Sequence, residues 1–122
     1  MANPFVHVEL NSTDLTKSKA FYQALFQWTL EEMDIGDGHA YTLIKVGEGT
    51  GGGMMTHPMP GEPSTWLPYV LVDDIRASTE RARSLGAQIV RDVMEVPEAG
   101  WLSIFIDPTG ATLGLWQPKP KA

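Results

Sequence analysis

The residues with the clearest chemical potential are His7 and Glu9, two apart in the run FVHVEL. Side chains alternate along a strand, so the imidazole and the carboxylate project from one face while Val6, Val8 and Leu10 project from the other. An unperturbed imidazole titrates near ~6.5 and can move a proton to or from a bound molecule. The same groups can instead anchor a ligand in a concave site, or His7 can be satisfied by Glu9, a tyrosine or water with no task of its own. Glu9 has the matching choice between solvated carboxylate, orienting partner of His7 and acceptor for a ligand donor. If the chain is a catalyst, His7 and Glu9 are the candidates. His39 and His57 fall in turn or linker stretches with no acidic or histidine partner at ligand spacing. Glu31, Glu32, Asp34 and Asp37 read as a solvated acidic face. There is no nucleophile elbow, zincin helix or dinucleotide fingerprint, and GEGTGGG is not followed by the Lys-Ser/Thr of a phosphate loop, so it reads as a hairpin turn.

The elements that must position His7 and Glu9 follow from periodicity. The aliphatic face of the first strand needs a covering helix, and Leu15, Tyr22, Leu25 and Phe26 form an apolar stripe at helical spacing behind Asp14, a good N-cap. Asp74 lies 74 − 14 = 60 residues after Asp14, and the same offset pairs Leu10 with Val70, Leu15 with Ile75, Tyr41 with Trp101 and Ile44 with Ile104. A constant offset across strand, helix and strand predicts a duplicated module. The first copy predicts strands near 4–10, 28–34, 39–46 and 51–56 around a helix near 14–26. The second predicts a strand at LPYVLV, a helix capped by Asp74 and stopped by Gly86, and strands near 88–95, 100–106 and 111–117. Asp107-Pro108-Thr109-Gly110 is a turn signal between the last two. The fold class is therefore α+β, with βαβββ twice in one domain, 1–122. Module 1 covers about 4–57, a Pro-rich linker 58–65 and module 2 about 66–118.

A net charge of -6 and a pI near 4.9 disfavour nucleic acid and anionic membranes as partners and suit a small neutral ligand. With no cysteine there is neither a disulfide nor a thiolate metal ligand. No apolar run is long enough to span a bilayer, and a cytoplasmic location is expected.

Read together, the FVHVEL strand, the Asp14 cap, Phe21-Tyr22 with LFQW, the restart WLPYVLVDDI and the ending DPTGATLGLWQ resemble the vicinal-oxygen-chelate superfamily. That superfamily contains glyoxalase I, the bleomycin- and fosfomycin-resistance proteins and the extradiol dioxygenases. The resemblance spans residues 4–118, and GATLGLWQ is most similar to small bacterial glyoxalase-related proteins of undefined substrate. It implies two βαβββ modules whose mixed sheet curls into a cup with the helices outside. It also implies metal ligands at inward positions on the first and fourth strands of each module. His7 keeps one such position, and Leu67 stands at its counterpart in the second module. Gly114 replaces the carboxylate of the last strand, and Met54, or Gly53 after a one-residue shift, replaces that of the first module. With one of four positions retained, no metal or other cofactor is expected at the family's site, and a divalent metal is the weaker alternative.

Alternation assigns Phe5, Tyr69, Leu71, Trp101, Ser103, Phe105, Thr112 and Trp116 to the cup, with Tyr41 and Leu43 facing it from the first module. Aromatic residues at strand spacing are core more often than ligand boxes. Ser103, Thr112, Gly114 and the His7/Glu9 pair, however, would leave volume and unpaired donors in a sealed core, which favours a partly open pocket. The expected function is binding of a small, partly aromatic molecule without the family metal, through Phe5, His7, Glu9, Tyr41, Tyr69, Trp101, Ser103, Phe105, Thr112 and Trp116. The alternatives are a lyase- or isomerase-type enzyme using His7 and Glu9 or an atypical metal site, and an association module with a filled cup. A homodimer is expected.

Overall fold

The computed structural model describes residues 2–34 and 40–120, so His39 and Asp37 lie outside the described residues. The elements are β1 (Phe5–Ser12), α1 (Leu15–Leu25), β2 (Thr29–Asp34), β3 (Ala40–Lys45), β4 (Gly52–Thr56), β5 (Thr65–Leu71), α2 (Ile75–Ser84), β6 (Gln88–Val96), β7 (Gly100–Ile106) and β8 (Thr112–Pro118). The βαβββ pattern thus occurs twice, and the class is α+β as expected. Two compact units result, one from His7–Leu67 and the other from Met1–Val6 together with Pro68–Ala122.

In the unit from His7 to Leu67 the strand order is β2-β3-β4-β1. Its first three strands are antiparallel, while β4 and β1 run parallel with Glu9 opposite Gly53. Leu10, Ile44 and Met54 are buried on the helix side against Leu15, Tyr22, Trp28, Leu30 and Val46. The Asp14 carboxylate accepts from the Lys17 amide at 3.0 Å and starts α1, satisfying one of the orphan amides of a first turn. The apolar stripe is narrower than its spacing suggested. Leu25 is the last helical residue, lies past the core and is 57% exposed, while Phe26 adopts extended backbone and stacks on Tyr22. Glu31 pairs with Lys45 and Glu32 with Lys19, both at 2.8 Å and both carboxylates exposed, one on each face of β2.

In the other unit the order is β5-β8-β7-β6, with β5 and β8 parallel and Tyr69 opposite Gly114. Its core joins Val72, Ile75 and Leu115 to Val70, Val93, Trp101 and Phe105. Asp74 accepts from the Ala77 amide, and the Gln117 side-chain oxygen accepts from the Ile75 amide, so two donors at the start of α2 are satisfied. The β7–β8 turn is built on Asp107, whose Oδ1 accepts from the Thr109 hydroxyl and from the Thr109 and Ala111 amides. Those bonds, the Thr109 hydroxyl foremost, hold the Asp107 carboxyl below its ordinary range.

The 60-residue offset holds through the helices and then steps to 61. Thr42 and Ser103 are both buried polar residues on the third strand of their module (103 − 42 = 61), and Gly53 and Gly114 are the fourth-strand partners of Glu9 and Tyr69 (114 − 53 = 61). In its pairing with β7, β6 slips by one residue between Ile89 and Arg91 and by a second between Arg91 and Met94. A one-residue step sends every following side chain of a strand to the opposite face.

Candidate functional site

Three of the expected site residues meet on one face of the first unit's sheet. β1 presents His7 and Glu9 on the side away from α1, and β3 presents Tyr41 on the same side, since Leu10 and Ile44 take the helix side. The Tyr41 hydroxyl donates to Glu9 Oε1 at 3.0 Å and lies 2.7 Å from His7 Nε2. The His7 and Tyr41 rings are stacked, with centroids 6.1 Å apart and planes inclined at 27°. A phenol has one hydrogen. With it spent on Glu9, the phenol oxygen accepts from His7, which assigns the proton of the neutral imidazole to Nε2 and leaves Nδ1 as the acceptor of the ring. Burial holds the His7 imidazole below its ordinary pKa, favouring this neutral form.

Beneath the phenol is a glycine. A Cβ added to Gly53 would stand 1.9 Å from the Tyr41 oxygen and 2.1 Å from its Cζ. The other unit repeats the arrangement with different strands: a Cβ on Gly114 would stand 2.4 Å from Cδ2 of Tyr69.

In that second unit, Tyr69 and Leu71 of β5 and Thr112, Gly114 and Trp116 of β8 share the face away from α2, because Val70, Val72 and Leu115 occupy the helix side. Tyr69 is buried and Thr112 exposed. Phe5 is 59% exposed.

Trp101, Ser103 and Phe105 are not with them, which corrects their assignment to the cup. Trp101 and Phe105 pack against the α2 core, and the Trp101 ring lies under the Lys119 ammonium at 5.5 Å. Ser103 is 1% exposed and bonded at 2.8 Å to Thr79 of α2, whose own hydroxyl donates to the Ile75 carbonyl. The cause is the change of offset from 60 to 61, which turns β7 over relative to the face a 60-residue offset assigns it. The β7 residues that pair with the β8 set are Leu102 opposite Trp116, Ile104 opposite Gly114 and Ile106 opposite Thr112. The same step selects Gly53, not Met54, as the first module's fourth-strand position, since Met54 is fully buried on the α1 side. Matching the two buried hydroxyl residues, Thr42 and Ser103, was the signal that would have located this step. His57, expected in solvent, is partly buried and steadies its own turn, its Nδ1 accepting from the Met59 amide at 3.0 Å.

Residues 5–115 match the profile of the Glyoxalase/Bleomycin resistance protein/Dioxygenase superfamily. The chain belongs to this superfamily. Among curated proteins it is 35% identical over 102 residues to "Putative glyoxylase CFP32" of Mycobacterium tuberculosis, covering 84% of this chain and 39% of that one. It is 26% identical over 123 residues to "Anthracycline biosynthesis protein DnrV" of Streptomyces peucetius, covering 89% of this chain and 45% of that one. The chain thus spans about two fifths of the length of the curated relatives it matches. Among solved structures, a hypothetical protein of Bacillus halodurans C-125 superposes with a TM-score of 0.75 at 14% identity, covering 100% of this chain and 99% of that one. A methylmalonyl-CoA epimerase of Mycobacterium tuberculosis superposes at 0.71 and 20% identity, covering 95% and 88%. These likenesses establish the fold.

Membership of a family that commonly uses a metal requires a test of fit. The fourth-strand positions are Gly53 and Gly114, each with a tyrosine ring over it, and Leu67 offers no donor atom. Among the described residues no group of three or more His, Cys, Asp or Glu side chains is placed to hold an ion. The residues present do not fit the family's metal arrangement.

Proposed function

We propose that this superfamily member binds a small, partly aromatic molecule without the family metal, and that His7, Tyr41 and Glu9 are the polar anchor of its first unit. The observation that carries this reading is the His7–Tyr41–Glu9 hydrogen-bond chain on the sheet face away from the helix. It holds an imidazole, a phenol and a carboxylate in fixed orientation on one face, as sites that orient a ligand with few polar groups require. In the second unit Tyr69, Trp116 and Thr112 remain as proposed ligand contacts, whereas Trp101, Ser103 and Phe105 do not. Exposed Phe5 is retained as a contact on the same footing. A cytoplasmic homodimer is the proposed working form, and a monomeric mass at all concentrations in sedimentation would count against the dimer.

The test is a screen of small aromatic molecules carrying one or two hydrogen-bonding groups, read on the His7 and Tyr41 signals by NMR, with affinities by calorimetry. Tyr41→Phe and His7→Ala should each weaken a genuine ligand by on the order of tenfold, the worth of one good hydrogen bond. Unchanged affinity in both variants would sink the proposal.

A second reading, proton transfer in an isomerase- or lyase-type reaction, is favoured by the same chain of bonds. A neutral imidazole with an acceptor Nδ1, joined through a phenol to a carboxylate, is suited to take a proton from an activated C–H. Proteins named methylmalonyl-CoA epimerase share this fold. Exchange of a ligand C–H for deuterium that is lost in His7→Ala would favour this reading over binding alone.

A further inference from the structure

We propose that Tyr41 with Gly53, and Tyr69 with Gly114, are matched pairs in which the phenol ring takes the volume a fourth-strand carboxylate would need, closing that position to metal in each unit.

Every side chain other than glycine's begins with a Cβ. At Gly53 that atom would lie 1.9–2.2 Å from three atoms of Tyr41, and at Gly114 it would lie 2.4–3.0 Å from three atoms of Tyr69. Neither position accepts even alanine while its tyrosine keeps this rotamer, so a carboxylate cannot enter without first evicting the ring. The absence of ligating carboxylates is therefore more than two independent losses. It is coupled in each unit to the gain of a ring that now occupies the site.

The pairs are built differently, which separates this arrangement from simple inheritance of one duplicated motif. Tyr69 sits directly opposite Gly114 on the parallel neighbour β5. The equivalent position opposite Gly53 on β1 is Glu9, and the covering ring comes instead from β3, two residues from Leu43, the partner of Gly53 on that strand. Two strand positions thus arrive at one outcome, glycine beneath a phenol. In the first unit the consequence is chemical as well as steric. The Tyr41 hydroxyl, within hydrogen-bond distance of both Nε2 of His7 and Oε1 of Glu9, links them by protons, where a ligand set would link them through an ion.

The experiment is zinc titration by calorimetry on the intact chain, with thermal melting recorded for each variant. Gly53→Glu should melt lower than wild type and bind zinc no tighter. Adding Tyr41→Ala to Gly53→Glu should recover melting temperature and raise zinc affinity by on the order of tenfold or more, because His7, Glu9 and the introduced carboxylate then share one face of β1 and β4. Should Gly53→Glu fail to fold, Gly53→Ala and Gly114→Ala carry the test. Each should lower the melting temperature in the presence of its tyrosine and have a smaller effect beside Tyr41→Ala or Tyr69→Ala. Strictly additive effects overturn the pairing. So does tight zinc binding by wild type or by Gly53→Glu alone, or a folded double variant with no gain in zinc affinity.

Discussion

Tyr41 organises the candidate site through a single hydroxyl hydrogen. Because the phenol donates its one hydrogen to Glu9, His7 is left to donate from Nε2. The neutral imidazole that results has a consequence for stability. Burial lowers the folded pKa of His7 below the ordinary value of 6.5, so between those two values the unfolded chain binds more protons than the folded one. Stability should therefore rise as pH climbs through that window, level off above 6.5 and fall as His7 is forced to ionise below it. Urea denaturation across that range should show the slope in wild type and a flatter profile in His7→Gln. An identical slope in both would exclude His7 as its source. That His7, Glu9 and Tyr41 share a face was legible in FVHVEL and in the alternation of AYTLIK, where Thr42 and Ile44 belong to the core. The glycine beneath Tyr41 was not legible, because closeness across neighbouring strands depends on register.

Elements were placed closely by periodicity and caps: α2 runs from Ile75 to Ser84 between its Asp74 cap and Gly86, and β7 spans Gly100–Ile106 as its apolar run implied. Their faces were harder, and β7 shows why. Its residues alternate as any strand's do, but which set faces α2 follows the one-residue change of offset between the modules, and composition carries no mark of such a step. Ser103 consequently belongs to the core. It and Thr79 are buried at 1% and 2% exposure, the Ser103 hydroxyl donating to Thr79, whose own hydrogen goes to the Ile75 carbonyl. Thr79→Val alone should cost about 1–3 kcal/mol by leaving the buried Ser103 hydroxyl without its Thr79 partner, and Ser103→Ala should cost less, since the Thr79 hydroxyl still donates to the Ile75 carbonyl. Thr79→Val combined with Ser103→Ala should cost less than the two singles summed, as removal of both partners strands neither. Chemical denaturation measures this. A double variant whose loss equals the sum would mean the two hydroxyls are independent. Ser103→Ala should also leave ligand affinity unchanged, in contrast to Tyr41→Phe.

At the scale of the whole molecule, duplication has produced two units of unlike chemistry. The first strand of the first module keeps an imidazole and a carboxylate, whereas that of the second module has Leu67 and Tyr69 at the equivalent positions. Strand-to-strand association through the outer strands is disfavoured in both. β2 carries exposed Glu31, Glu32 and Asp34, and β6 is broken by register slips and carries exposed Arg91, Asp92 and Glu95. The homodimer proposed above is therefore not expected to form by pairing of β2 or β6. Charge bears on the ligand as well. The chain has a net charge of -6, and among the described residues the anchor contains an acidic side chain and no lysine or arginine. A multiply anionic molecule would meet repulsion both at long range and at Glu9, while a neutral one meets neither and a cationic one is attracted. For matched aromatic ligands differing only in charge, the cation and the neutral form should bind more tightly than the dianion, and the gap should narrow as salt rises toward ~0.15 M and screens the long-range part. Calorimetry at low and physiological salt separates the outcomes. Tightest binding by the dianion, weakening as salt is added, would mean that a cationic surface, not the His7–Tyr41–Glu9 face, receives the ligand.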